Sequence, residues 1–288
     1  MTHRMGIAAT LFALALSFAV GSAQAQNVVF VSPGGNDANN CFTPATACLT
    51  LSQAQTVVNN GGVIHMAPGD YPGVVIEKSV QIIAQEGASI ASGSVQVGNV
   101  GAALVVNAGA TDVVAIRGLV VGRHGFTRGG IGLVSAAALH LENCALLHSG
   151  DSFGVVFRAS VNSELSVKNC MIASNGFGGV TGGGIEIRPG ASATAKVNIE
   201  NVRLVNNRRG LEVYNRGRVT VRASTIAGNE VGVRAVGGQA FVRVANSTIS
   251  GNDTGLLRSN NGKIITYGGN VLADNTTDGA FSGSANQQ

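Results

Sequence analysis

One seven-residue motif recurs along this chain at short, nearly regular intervals. Asn169-Cys-Met-Ile-Ala-Ser-Asn175 returns as Asn201-Val-Arg-Leu-Val-Asn-Asn207 and as Ala223-Ser-Thr-Ile-Ala-Gly-Asn229. It returns again as Asn246-Ser-Thr-Ile-Ser-Gly-Asn252 and Gly269-Asn-Val-Leu-Ala-Asp-Asn275. Upstream, Asn143-Cys-Ala-Leu-Leu-His-Ser149 and Gly118-Leu-Val-Val-Gly-Arg-His124 keep the same frame, and the steps between motif ends are 25, 26, 32, 22, 23 and 23 residues. A period of this length marks a solenoid, in which each unit buries its apolar face only against its neighbours.

Each unit also carries two alternating segments. One follows a glycine, as in Gly184-Ile-Glu-Ile-Arg188 and Gly210-Leu-Glu-Val-Tyr214; the other precedes the motif, as in Leu165-Ser-Val167, Val197-Asn-Ile199 and Val219-Thr-Val221. Alternation places every second residue on one face of a strand, and the motif supplies a third, shorter strand. Three strands per unit predict an all-β chain: a parallel β-helix of about 8–9 coils over residues 63–278, whose right hand is what the family resemblance below implies. A leucine-rich repeat would need a helix per unit, and a propeller would need four-stranded units. The 41 glycines among 288 residues, about twice the usual share, then mark strand starts rather than collagen, which needs glycine at every third position.

The motif-ending Asn175, Asn207, Asn229, Asn252 and Asn275 are expected to stack at one turn, with left-handed backbone and amides bonded to one another. The apparent glycosylation sequons at Asn246, Asn252 and Asn275 are then by-products of the repeat. Cys144 and Cys170 share one inward motif position, and the sequence leaves both a bridge and a buried thiol pair open.

Residues 1–25 read as a signal peptide: Arg4, an apolar run from Met5 to Val20, and a small-x-small site at Ala23-Gln24-Ala25. The expected location is therefore secreted or periplasmic, with no transmembrane segment after cleavage. Export predicts a disulfide between Cys41 and Cys48. Residues 26–62 are expected to hold a strand, this Cys loop and a capping helix opened by Thr50-Leu-Ser-Gln53, with Leu51, Ala54, Val57 and Val58 on its buried side. Residues 279–288 read as a flexible tail.

Val31-Ser-Pro-Gly-Gly-Asn-Asp37, Thr50-Leu51 with Ala54, and Gly62-Val-Ile64 with Ala67-Pro-Gly-Asp-Tyr71 resemble the amino end of secreted right-handed parallel β-helix proteins of the pectin-lyase-like superfamily. The resemblance implies the fold. It leaves activity open, because that superfamily holds polysaccharide lyases, hydrolases, esterases and adhesins.

The best chemical constellation lies on the glycine-started strands. Their outward pairs are Val156/Arg158, Glu186/Arg188, Glu212/Tyr214 and Arg234/Val236. Glu186, Glu212 and Arg188 are candidate catalytic residues, since carboxylates one coil apart approach the roughly 5–5.5 Å of a retaining glycosidase pair. An ion-pair ladder is the competing reading. Arg158, Tyr214 and Arg234 are candidate substrate contacts, joined by His124, His148 and Phe177 from the longer connections on one edge. His65 and His140 are expected as surface residues without chemistry. Arg203, Arg208, Arg209, Arg216, Arg218 and Arg222 crowd one coil and can attract polyanions.

The outward strand positions hold no Asp, against the calcium clusters of pectate-lyase-like and the acidic sites of polygalacturonase-like enzymes. The sequence predicts no metal site, no cofactor and no nucleic-acid partner. Two functional readings stand: an exported protein that binds, and in the stronger form cleaves as a lyase or glycoside hydrolase, an acidic polysaccharide; or a non-enzymatic adhesin-like scaffold. The sequence sets no oligomeric state.

Overall fold

The computed structural model describes residues 27–122, 129–177 and 181–285. The signal segment 1–25 lies outside them, as does His124. The chain winds through three parallel sheets in turn, and each sheet grows by one strand per coil. The first has 11 strands, the second 9 and the third 8, and within each the neighbours come from successive coils. The result is the expected right-handed parallel β-helix.

In the central coils the register is unbroken. In the first sheet Leu165, Val197, Val219 and Val242 are direct neighbours. In the second Ile172, Leu204, Ile226 and Ile249 align. In the third Ile185, Leu211 and Val233 align. All eleven are 2% exposed or less and join one continuous core. The pleat fixes which residues turn inward, so a slip of one residue would expose the whole apolar set.

The asparagine stack sits at the turn from the second sheet to the third. Asn175 Nδ2 donates to Asn207 Oδ1 at 2.9 Å, Asn229 to Asn252 at 2.9 Å, and Asn252 to Asn275 at 2.8 Å. Each Oδ1 also accepts a backbone N–H from the coil before it, as in Asn207 N to Asn229 Oδ1 at 2.8 Å. Each Nδ2 also reaches back to a carbonyl: Leu146, Ile172, Leu204, Ile226 and Ile249. The expected left-handed backbone falls one residue earlier, at His148, Ser174, Asn206, Gly228, Gly251 and Asp274, with φ from 53° to 66°. The reversal there swings the following Asn inward, where its amide becomes the ladder. A column of glycines faces it. A Cβ on Gly154, Gly210 or Gly232 would come within 3.2 Å of a ladder Nδ2 and on Gly255 within 2.9 Å, as well as meeting the next coil's carbonyl. The glycine excess is thus partly the room the ladder needs.

The cap contains the expected helix, Leu51–Val57. Thr50 Oγ1 accepts from Gln53 N at 3.1 Å, and Asp37 Oδ1 accepts from the backbone of Leu49 and Thr50 at 2.9 Å each. The buried side differs by one residue. Gln55 is buried where Val57 was expected, because its amide bonds Val75 O and Glu77 N and so stitches the helix to the first strand of the third sheet. Tyr71 is 1% exposed and donates to Val31 O and Ala67 O. Cys41 and Cys48 are bridged, as expected. At the other end, Gly283–Ser284 pairs with Ile265 and Thr266, so the first sheet continues past residue 278.

One element had no sequence forecast. Val95–Val97 and Val100–Ala102 form an antiparallel hairpin that folds over the outer face of the third sheet. It makes a small second core with Val105, Phe153 and Val156. Val156, expected to face solvent, is consequently 3% exposed.

Replacing Asn207 by Ala would take the Oδ1 acceptor from the buried Asn175 N–H and from one Asn175 Nδ2 hydrogen, while Asn175 keeps its bond to Leu146 O; urea unfolding should show a loss of about 2 kcal/mol or more, at about 1–3 kcal/mol per buried unmet group. Burial pushes the Tyr71 hydroxyl from its ordinary 10.0 up to about 12. The neutral phenol is therefore the form the fold favours. That contribution is intact below pH 10 and lost as pH rises through about 12, so Tyr71→Phe should flatten the alkaline limb of the stability profile.

Candidate functional site

The third sheet brings together the residues singled out from the sequence. Glu186 and Glu212 are register neighbours, and Arg234 is the next neighbour of Glu212. Arg158 and Arg188 follow the ends of adjacent strands, where Arg188 N bonds Phe157 O at 2.8 Å. The expected open groove is not what these side chains form. Glu186 is 2% exposed and Glu212 0%. Arg158 Nε holds Glu186 Oε2 at 2.6 Å and Arg188 Nε stands 3.5 Å from Oε1. Glu212 accepts from Arg209 Nη1 at 3.0 Å and Arg234 Nη1 at 2.6 Å.

The physical reason is charge. Two adjacent carboxylates on a strand face repel, and four guanidinia lie across them, so the long Arg stems cover the acids they neutralise. The Arg188 guanidinium also lies 3.7 Å over the Tyr214 ring. Burial, together with the Glu212 charge, raises the Tyr214 hydroxyl above its ordinary value. Arg158 Nη1 further donates to Asn99 O at 2.8 Å, tying the hairpin tip to the cluster. The ion-pair reading thus describes this geometry.

His148 and Phe177 are not among the partners of either glutamate. His148 occupies the left-handed turn position before Ser149, and Phe177 stands 60% exposed in the connection before Gly183.

The outward face of the first sheet has a different chemistry, sorted into three rows along the stack. The row nearest the turns from the third sheet reads Glu164, Lys196, Arg218, Phe241, Lys263. The middle row reads His140, Ser166, Asn198, Thr220, Arg243. The far row reads Arg117, Glu142, Lys168, Glu200, Arg222, alternating in sign. The far row thus offsets itself almost fully; Arg117 and Glu142 meet at 2.9 Å.

The near row does not. It has three cations against one anion, a net +2, and its sole carboxylate, Glu164, meets Lys196 at 3.2 Å. Among the described residues, no carboxylate lies within 4.0 Å of Arg216, Arg218 or Lys263. These three, with Thr194, Gln239 and Phe241, line an open cleft of about 410 Å³. A second cleft of about 470 Å³ continues along the same row from Thr194 and Lys196 to Val113, with His140 and Glu164 on its walls. Arg243 lies 4.4 Å over the Phe241 ring, which fixes both side chains.

The arginine-rich coil read from the sequence includes Arg216 and Arg218 of this cleft; Phe241, Lys263 and the hydroxyl and amide residues of the middle row were not singled out. The signal was present there: Ser166, Asn198, Thr220 and Arg243 are the middle residues of four aligned triplets.

Glu212→Gln would leave two guanidinia facing a neutral amide. We expect a loss of about 2 kcal/mol or more by chemical denaturation, since unpairing a buried charge is costly. Lys196→Ala, whose partner is an exposed Glu164, should cost about 0–1 kcal/mol.

The right-handed β-helix region family model matches residues 74–226 and, again, 179–287. Among solved structures, the chain is similar to pectin methylesterase PemA from Erwinia chrysanthemi, at 11% identity over 81% of this chain and 80% of that one, with a TM-score of 0.47. It is also similar to XylC in complex with xylose, at 10% identity over 83% and 68% of the two chains, TM-score 0.37. A rhamnogalacturonan lyase aligns at 13% identity over 88% of each chain, TM-score 0.36. No curated protein matches the chain. With the family match spanning most of its length and the coils wound as described, this chain belongs to the right-handed β-helix family.

Proposed function

We propose that this is an exported β-helix protein that binds an acidic polysaccharide along the outward face of its first sheet. The observation that carries the reading is the near row: unpaired cations around an aromatic ring, in a cleft that continues along the stack. A cationic row can take the carboxylates of a uronate chain. The middle row of hydroxyl and amide side chains supplies partners for sugar hydroxyls. Phe241 offers an apolar platform to a sugar ring. Strands repeat every ~4.8 Å, so the face offers a linear chain one side chain of each row at every coil.

Binding is favoured over cleavage by the state of the paired acids. Glu186 and Glu212, with Arg188, are the candidates for chemistry, yet both carboxylates are covered by guanidinia and lie on a different sheet from the cleft. Arg158, Tyr214 and Arg234 complete that ion-pair surface. Export is supported by the amino-terminal leader pattern and by the Cys41–Cys48 bridge.

Titration calorimetry should show a polyuronate oligomer binding and a neutral glucan not, with affinity falling as salt is raised through ~0.15 M. Arg218→Ala with Lys263→Ala should weaken binding about tenfold or more, equal to about 1.4 kcal/mol. Arg188→Ala should leave affinity unchanged, and no new reducing or unsaturated ends should appear. Equal affinity for the neutral glucan, or an unaltered affinity in the double variant, would count against the reading.

A further inference from the structure

Cys144 and Cys170 occupy the corner between the first and second sheets in consecutive coils. The neighbouring residues Ala145 and Met171 are direct register partners, which sets the two cysteines opposite each other. Parallel neighbours lie about 4.8 Å apart, inside the roughly 4.4–6.8 Å Cα separation of bridged cysteines. Both are free thiols, 2% and 3% exposed, and Cys144 N donates to Cys170 Sγ at 3.4 Å.

The rest of this column shows what the position does. Val202 N donates to Ser224 Oγ, Ser224 N to Ser247 Oγ, each at 3.1 Å, and Ser247 N to Asn270 Oδ1 at 3.0 Å. Each side chain there ties its coil to the one before. Val202 has no such acceptor to offer, so the cysteine pair stands apart from the serine part of the column. At the other end of the same coil step the asparagine ladder also runs out. Ser149 takes the place of an asparagine, and its buried hydroxyl has no partner among the described residues. At the step from Cys144–Ser149 to Cys170–Asn175 the side chain that joins the coils at this turn is therefore that of Asn175, which accepts from Ser149 N and donates to Leu146 O, with no amide-to-amide bond.

We propose that Cys144 and Cys170 form an inter-coil disulfide in an oxidising compartment, a covalent staple at the step where the ladder ends. The bridge forms by exchange with an external disulfide such as oxidised glutathione. The Cys170 thiolate attacks one sulfur of that disulfide, giving a mixed disulfide and releasing one glutathione thiolate. The Cys144 thiolate then attacks the Cys170 sulfur, releasing the second. Two protons leave the protein, its two thiols are oxidised and the external disulfide is reduced to two thiols.

Exchange takes place while the coils are assembling, when both sulfurs are open to solvent; the same two steps with the cysteines exchanged give the same bridge.

The test is to refold the full chain with oxidised and reduced glutathione, alkylate it under denaturing conditions, and map its peptides by mass spectrometry. The expected result is a peptide cross-linked through Cys144 and Cys170, no alkylation at either, and a higher melting temperature than the form with these two thiols reduced and Cys41–Cys48 intact. Cys144→Ser should still fold, because serine fills this column at Ser224 and Ser247. It should melt at the same temperature after oxidising and reducing refolding. Quantitative alkylation of both cysteines after oxidative refolding, a bridge from either to Cys41 or Cys48, a bridged form no more heat-stable than the reduced one, or a Cys144→Ser variant that still gains heat stability on oxidation would each overturn the proposal.

Discussion

Coil-to-coil registration through the asparagine ladder is the constraint on which the rest of this structure depends. A single coil buries nothing by itself, so each one must meet the next at a fixed height and a fixed angle. Hydrophobic contact sets the height but is indifferent to small rotations. The ladder is not indifferent: Asn175, Asn229 and Asn252 each donate to the next amide, every ladder Asn also donates to a carbonyl of the coil before it, and each Oδ1 accepts a backbone N–H, so a shift breaks several bonds at once. The left-handed residue before it and the glycine column facing it serve the same geometry. Registration in turn makes rows, and rows give the surface its chemistry.

Two outward faces show how differently rows can be used. On the third sheet opposite charges fall next to one another, and the network closes on itself over Glu186 and Glu212. On the first sheet the far row alternates in sign and offsets itself, while the near row gathers Arg218 and Lys263 around Phe241 without acids. A closed network contributes to the stability of the stack. Cations left without acid partners have no such internal purpose, and that is why the binding reading rests on them. The hairpin 95–102 sharpens the contrast, because it covers part of the third sheet and leaves the first uncovered.

The repeat made most of the fold legible in advance. Inward positions such as Leu165, Val197 and Val219 follow from alternation, and Asn175 to Asn275 from the motif frame. The cap helix was legible from Thr50 and Gln53. What the linear chain hides is everything that depends on a second element arriving. Val156 alternates like an exposed residue, and only the hairpin buries it. Glu186 and Glu212 were rightly placed as neighbours, but their burial depends on where four long Arg side chains lie, including Arg209 at the start of the strand that carries Glu212. The near row was legible only in part: Arg216 and Arg218 stand in the arginine-rich coil, but Phe241 and Lys263 differ in type from their neighbours, so no column of identical residues marks the row.

The most direct measurement of the central claim is backbone hydrogen exchange with and without a saturating polyuronate oligomer. The account predicts added protection at the turns and strand starts around residues 194, 216–218, 238–241 and 263, with the third sheet around 186–188 and 212–214 unchanged. Protection confined to the third sheet, or none on the first, would contradict it.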